Sequence, residues 1–344
     1  MIIRRLTVTN IRSHTEKTID LSADTTVLAG KNGIGKTSLL EAIYIALQGT
    51  SFKGTDMEVL RHDEPWYRID LLLDDDTVRT VTFDPSRTSG KKRFNIHEKI
   101  SYRLSSRDKY PVVLFEPEDL RLLHGSPSRR RLFIDRFIMQ IDPTYSITLR
   151  KYERALKQRN SLLKRDVVRK EDLFVWNMAL SEYGSAIVDK RIYAIELLNK
   201  SLTKHYSTIA QTDDAITVHY SHTSIDNSMQ KFLNELEKSA ERDQILGYTS
   251  IGPHRHDIVF QFNDRPALTV ASRGEVRSII ISLKQIEIDL ISQATGTFPI
   301  TLLDDVFSDL DGDRQQQITK YKNQTIISSA TANIVKDNSN IVNL

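Results

Sequence analysis

Eight consecutive residues, Gly30, Lys31, Asn32, Gly33, Ile34, Gly35, Lys36 and Thr37, fill the spacing G-x-x-x-x-G-K-[ST], and Ser38 follows them. Each residue type meets a need of phosphate binding. Glycines let backbone N–H groups curl around phosphate oxygens with no Cβ in the way. A helix that starts where the loop ends aims its positive N-terminus at the same charge. Lys36 is spaced to reach β- and γ-phosphates, as part of the catalytic equipment, and the Thr37 hydroxyl is spaced to ligate Mg2+. A Mg2+-nucleotide site also needs a carboxylate at the end of a buried strand. Ile300, Thr301, Leu302 and Leu303 read as that strand, and Asp304 and Asp305 end it. Asp304 is placed to hold Mg2+, and Asp305 to polarise an attacking water. Since 268 positions separate Lys36 from Asp304, the nucleotide-binding head is split along the chain.

Hydrophobic patterning outlines the elements that must position these groups. Strand-like runs occupy 2–9, 18–21 and 25–28, and the glycine loop leads into a helix over 36–47. Further strands are expected at 68–73, 78–83 and 112–115. From about 143 to 206 the pattern turns helical. Leu149, Tyr152, Leu156 and Leu163 form one stripe, and Trp176, Leu180, Tyr183, Ile187, Ile195, Leu198 and Leu202 a second, with a polar break at 166–172. This predicts a helical hairpin whose second arm runs roughly 50 Å at 1.5 Å per residue. After 245 the α/β character returns, with strands at 258–262, 300–303 and 325–328 and a long helix at 275–291.

The chain has 344 residues, 39.5 kDa, and no cysteine. That length suggests roughly two domains. The lack of cysteine excludes a disulfide scaffold, thiol catalysis, Cys-ligated zinc and iron–sulfur clusters. No apolar run is long enough to span a membrane. The first residues carry no apolar signal region, so a cytoplasmic protein with no membrane partner is expected. The net charge is only +3, but residues 121–170 hold 14 Lys/Arg against 4 Asp/Glu. A second stretch, 87–109, holds 8 against 2. Such patches suit nucleic-acid phosphates. Arg129, Arg130, Arg131, Arg150, Lys151, Arg154 and Lys157 are the candidate DNA contacts.

Several segments together resemble the RecF family. They are the loop with Leu39-Leu40-Glu41-Ala42-Ile43; Phe115-Glu116-Pro117-Glu118-Asp119-Leu120; Gly125-Ser126-Pro127-Ser128-Arg129-Arg130-Arg131; Gly252-Pro253-His254-Arg255; Ala271-Ser272-Arg273-Gly274-Glu275; and Leu302-Leu303-Asp304-Asp305-Val306-Phe307-Ser308-Asp309-Leu310-Asp311. The resemblance covers nearly the whole chain. It implies an ABC/SMC-type ATPase head in which two protomers sandwich two ATP molecules. Residues 1–140 would form the first lobe, 141–244 the helical arm, and 245–344 the second lobe. Ser272 and Gly274 match the signature loop that contacts the partner's γ-phosphate, residues 308–311 match a loop crossing the dimer interface, and Arg12 lies near the nucleotide. The implied biology is DNA repair and replication, within the response to DNA damage. It comprises a weak, DNA-stimulated ATPase, an ATP-dependent homodimer on duplex DNA and single-strand/double-strand junctions, and recombinase loading at gaps through RecR and the RecO pathway. Four features depart from the family pattern: Glu275 stands where Gln is usual, His256 where a second acid is usual after Gly252-Pro253-His254-Arg255, Glu116 before Pro117 where a Q-loop glutamine is sought, and no histidine occurs at 328–331.

Two other readings remain at this point: another SMC-like DNA-associated ATPase, or a P-loop small-molecule phosphotransferase. No acceptor pocket is visible for the latter. A metal-dependent phosphoesterase built on His254, His256 and Asp257 lacks further ligands.

Overall fold

The computed structural model describes residues 1–165, 168–221, 228–306, 312, 314–315, 323–331 and 340–344. The segment 308–311 therefore lies outside the described residues. The chain divides into two compact units, Met1–Leu120 with Glu287–Leu344, and Arg121–Ile286. These cuts differ from 140/141 and 244/245. They mark where the chain is compact, whereas the three-part division is a proposal about function.

The first unit has two sheets. One is antiparallel, with β1 (Ile3–Ile11), β2 (His14–Asp20), β4 (Tyr67–Leu73), β5 (Val78–Phe83), β6 (Lys92–Ile96) and β7 (Lys99–Ser101) in the order β2-β1-β4-β5-β6-β7. The other holds β3 (Thr25–Ala29), β8 (Val112–Phe115), β12 (Ile300–Asp304), β13 (Thr325–Ser329) and β14 (Asn340–Asn343) in the order β14-β3-β13-β12-β8, every pairing parallel. All five residues of β12 are buried and read as an apolar run, as a strand covered on both faces must. Helix α1 (Lys36–Gln48) touches β1, β4 and β5 of one sheet and β8, β12 and β13 of the other. Leu39, Leu40, Ala42, Ile43, Ile45, Ala46 and Leu47 are accordingly buried around its circumference. A short helix, α2 (Asp56–Val59), follows, opened by a Thr55/Glu58 capping box. Gln324, just before β13, joins the halves of this unit. Its amide accepts from Ile3 N at 2.8 Å and donates to the carbonyls of Ile3 at 2.6 Å and Ser22 at 2.8 Å.

The second unit combines helices with a small antiparallel sheet. Its helices are α3 (Pro127–Ile141), α4 (Tyr145–Leu163), α5 (Lys170–Asn199), α6 (Leu202–Ala210), α7 (Met229–Lys238), α8 (Ala240–Leu246) and α9 (Ala267–Val270). Helix α10 (Arg273–Thr295) continues from this unit into the first. Strands β9 (Ile216–Ser221), β10 (Asp257–Phe262) and β11 (Arg265–Pro266) pair in the order β11-β10-β9. The helical hairpin is present as α4 and α5, and α5, with 30 residues, runs about 45 Å. It is not a bare arm, because α5 also packs on α3, α7 and β9. Arg159 sits in the α4 stripe at 0% exposure, its guanidinium donating to Asn177, Asp243, Thr249 and the Leu236 carbonyl.

Candidate nucleotide site and basic surface

The phosphate loop joins β3 to α1, as its motif requires. Gly33 and Gly35 have φ of +85° and +102°, a region costly for other residues. At Gly35 a Cβ would also lie 2.3 Å from His14 Nε2 and 2.4 Å from Ser13 Oγ. The turn between β1 and β2 thus interlocks with the loop. The Lys36 ammonium curls back over the loop, donating to the carbonyls of Gly30 at 2.7 Å and Lys31 at 3.1 Å and, at 3.5 Å, to Asn32 Oδ1. No acidic residue occupies the first turn of α1, so its outward N–H groups face an anion without competition.

The structure brings the distant carboxylate to this loop. Thr37 Oγ1 donates to Asp304 Oδ1 at 2.6 Å. Ser328, at the end of β13, donates to the same oxygen at 2.9 Å and accepts from Asp305 N–H at 2.9 Å. A serine at the segment without a histidine therefore holds the Asp304 carboxylate and the Asp305 backbone. Lys53 Nζ lies 3.2 Å from Asp304 Oδ2. Asp305 has φ of +51°, which turns the chain off the strand end. A cleft of about 340 Å3 is lined by Arg12, Ser13, Asn32, Gly33, Gly35, Lys36, Thr37, Ser38 and Asp305. That is within the usual size range of small-molecule sites. Its donors fit a nucleotide: an ammonium, a guanidinium and helix-start N–H groups for phosphates, with the hard Thr37 oxygen for Mg2+ and Asp304, nearly enclosed, hydrogen-bonded to it.

Arg12 occupies the β1–β2 turn with φ of +50°. Its Nε and Nη2 both meet the Glu41 carboxylate at 3.0 Å, a bidentate pair. These hydrogen bonds raise the Arg12 pKa further, against the opposing effect of burial. Glu41 is only 1% exposed, and Ser51 Oγ also donates to it. Glu41, Ser51, Lys53 and Ser328 are the members that sequence reasoning missed. The Leu39–Ile43 motif contained Glu41, but no spacing rule pairs it with Arg12.

Ser272 and Gly274 lie at the start of α10, in the second unit. Ser272 N–H donates to Glu275 Oε2 at 2.6 Å, and Glu275 N–H to Ser272 Oγ at 3.3 Å. This reciprocal capping box gives Glu275 a physical role at the position where Gln is usual.

The basic candidates divide. Arg130 is turned inward: it is 8% exposed, paired bidentately with Asp257 at 2.8 Å, and donates to the carbonyls of Leu123 and Gly125. Arg131 donates to the His256 carbonyl at 2.7 Å, and burial chiefly, with nearby Arg191, lowers its pKa. The sequence leaves two roles open for the Arg129–Arg131 triplet, DNA phosphates or pairing within the head, because a run of arginines does not reveal which way each one points. Arg129 is half-buried. On α4, by contrast, Arg150, Lys151, Arg154 and Lys157 are all exposed, with Lys164 and Arg165 beyond them. His254 Nδ1 accepts from Tyr152 Oη at 2.7 Å, and its Nε2 donates to the Thr249 carbonyl at 3.1 Å. Burial lowers its pKa to about 4. His256 Nδ1 lies 2.9 Å from Tyr220 Oη. Among the described residues, no group of three His, Cys, Asp or Glu could hold a metal ion. Nor is any described helix long and apolar enough to cross a membrane.

Residues 1–265 match the AAA ATPase domain family. The Smc head domain of Pyrococcus furiosus superposes with a TM-score of 0.52 at 14% identity, over 99% of this chain and 93% of that one, which shows a shared fold. Fold and cleft together define a P-loop ATPase head of the ABC/SMC type. DNA replication and repair protein RecF of Streptococcus agalactiae serotype V is 37% identical over 344 residues, covering 96% of this chain and 92% of its own. That of Streptococcus suis is 36% identical over 345 residues, covering 95% and 91%. A structure of the recombination mediator protein RecF-ATP in the RecFOR pathway superposes with a TM-score of 0.86 at 27% identity, over 98% of this chain and 94% of that one. The chain belongs to the RecF family of DNA replication and repair proteins.

Proposed function

We propose that the chain is an ATP-dependent DNA-binding protein of recombinational repair and replication in the cytoplasm. It binds duplex DNA and single-strand/double-strand junctions at gaps. An ATP-driven homodimer there promotes recombinase loading through RecR and RecO pathway proteins. The observation that carries this reading is the 2.6 Å contact between Thr37 and Asp304, which makes one cleft from loop and strand end 267 positions apart.

Lys36 and the amides of residues 30–38, Lys31, Asn32, Ile34 and Ser38 among them, hold the phosphates. Arg12, steadied by Glu41, adds a second cation. Thr37 and Asp304 would hold Mg2+, which when bound would withdraw charge from the phosphate oxygens. Asp305 accepts the proton of the attacking water, giving a slow, DNA-stimulated hydrolysis that ends the dimer's lifetime. Ser272 and Gly274 close on the γ-phosphate held by the other protomer. Arg150, Lys151, Arg154 and Lys157 contact DNA phosphates.

Sedimentation with and without ATP, and with and without gapped DNA, tests nucleotide, dimer and DNA together. ATP should shift the protein to a dimer, and gapped DNA should co-sediment only when ATP is present. A monomer that ignores ATP, or DNA binding indifferent to it, overturns the reading.

A further inference from the structure

Asp304 is nearly enclosed, its side chain 3% exposed. A buried carboxylate needs compensation from hydrogen bonds and opposite charge. The Thr37 and Ser328 hydroxyls both donate to Oδ1. Oδ2 faces the Lys53 ammonium at 3.2 Å. Lys36 does not serve here, since its ammonium is engaged by the loop carbonyls.

The segment carrying Lys53 is built to deliver it. Ser51 Oγ accepts from the N–H groups of Lys53 at 2.9 Å and Gly54 at 3.0 Å, and donates to Glu41. The Phe52 ring packs edge-on against Tyr44 of α1, centroids 5.4 Å apart. The turn is therefore tied to the same buried Glu41 that clamps Arg12. Lys53 itself is 39% exposed. Its flexible stem lets the charge withdraw into solvent without disturbing that turn.

We propose that Lys53 is a resident counter-cation at the metal position, holding Asp304 until Mg2+ arrives with nucleotide. This rests on the nucleotide reading of the cleft and deepens it. An ammonium and a divalent ion compete for one oxygen. Mg2+ sheds water reluctantly and is held by few protein ligands plus substrate phosphates. Alone, it gains too little at Asp304 to expel Lys53. With phosphate oxygens adding ligands to the ion, Lys53 would yield Asp304 to it. Metal binding thereby depends on nucleotide.

The test uses the full chain and Mn2+ as probe, with free Mn2+ read by electron paramagnetic resonance in the absence of nucleotide. Lys53→Met should bind Mn2+ roughly two- to fivefold tighter than wild type, the order expected of a half-exposed ion pair. Lys53→Arg should match wild type. Ser51→Ala, which loosens the turn, should shift affinity the same way by less, and serves if the methionine variant does not fold. Adding Asp304→Asn to Lys53→Met should erase the gain. Equal Mn2+ affinity in wild type and Lys53→Met, or a gain that survives Asp304→Asn, overturns the proposal. ATP titration of wild type against Lys36→Ala checks the cleft separately, so failure of the nucleotide reading is distinguishable from failure of this one.

Discussion

At the scale of single residues, the cleft sorts its charged groups by what each can reach. Lys36 sits on neutral carbonyls and can exchange them for phosphate oxygens without leaving a buried carboxylate unpaired. Lys36→Ala should therefore lose ATP affinity by about tenfold to a hundredfold, the value of charged hydrogen bonds, in a nucleotide titration. Asp304 is saturated by two hydroxyls and Lys53, whereas Asp305 lines the cleft wall. Its backbone is left-handed, a region that Asn tolerates as well as Asp. Asp305→Asn should keep ATP binding while slowing single-turnover hydrolysis by on the order of a hundredfold, the usual worth of a general base. Wild-type turnover in that variant moves the catalytic role elsewhere.

At the scale of elements, α4 and α10 carry the sharpest expectations. The exposed basic face of α4 is continuous through Arg150, Lys151, Arg154 and Lys157, whereas Arg130 and Arg131 on α3 are used within their own unit. Contacts to phosphate release counterions, so log K falls with log salt at a slope of about −0.9 for each phosphate contact. Replacing Arg150, Lys151, Arg154 and Lys157 by Gln should flatten that slope by up to about 3.6 units. Arg130→Gln should lower thermal stability instead, because it strands Asp257. An unaltered slope in the α4 variant would leave that face as solvated surface. On α10, Glu275 closes the capping box but puts a negative charge at a helix N-terminus that is proposed to meet a phosphate. Glu275→Gln keeps the box chemistry and removes the charge. The ATP-dependent dimer should then form at severalfold lower protein concentration. A weaker dimer would mean that the carboxylate is needed for closure.

At the scale of the molecule, ATP binding and dimerisation are separable by where their residues lie. The loop, Thr37 and Asp304 belong to the first unit, and Ser272 to the second. Ser272→Arg costs about 1 kcal/mol of capping, while Glu275 still accepts the backbone N–H at the helix start, so the chain should fold. It should bind ATP yet sediment as a monomer with ATP, and lose ATP-dependent DNA binding in the same step. A variant that still dimerises, or one that loses ATP binding outright, ends the trans assignment of this loop.

The residues 30–38, the strand ending in Asp304 and Asp305, and the helical stripes of α4 and α5 were legible because each obeys a local rule. Glycine spacing, a buried apolar run and helical periodicity are properties of neighbouring residues. The hairpin of β6 and β7 was not legible, since His97 and Glu98 take positive φ there without a glycine to signal the turn. Helix α3 was obscured by its arginines, although Phe133, Ile134, Phe137 and Ile138 are buried at helical spacing. Glu41 for Arg12, Thr37 for Asp304, Asp257 for Arg130 and Asp243 for Arg159 stand 29 to 267 positions away along the chain. A charged side chain's role depends on which opposite charge or carbonyl the fold brings within about 3 Å, and no local pattern encodes that distance. The sequence by itself thus determined the phosphate loop, the split head and the family. Only the tertiary structure decided that Arg130 is internal, that Glu41 holds Arg12, and that Lys53 reaches Asp304.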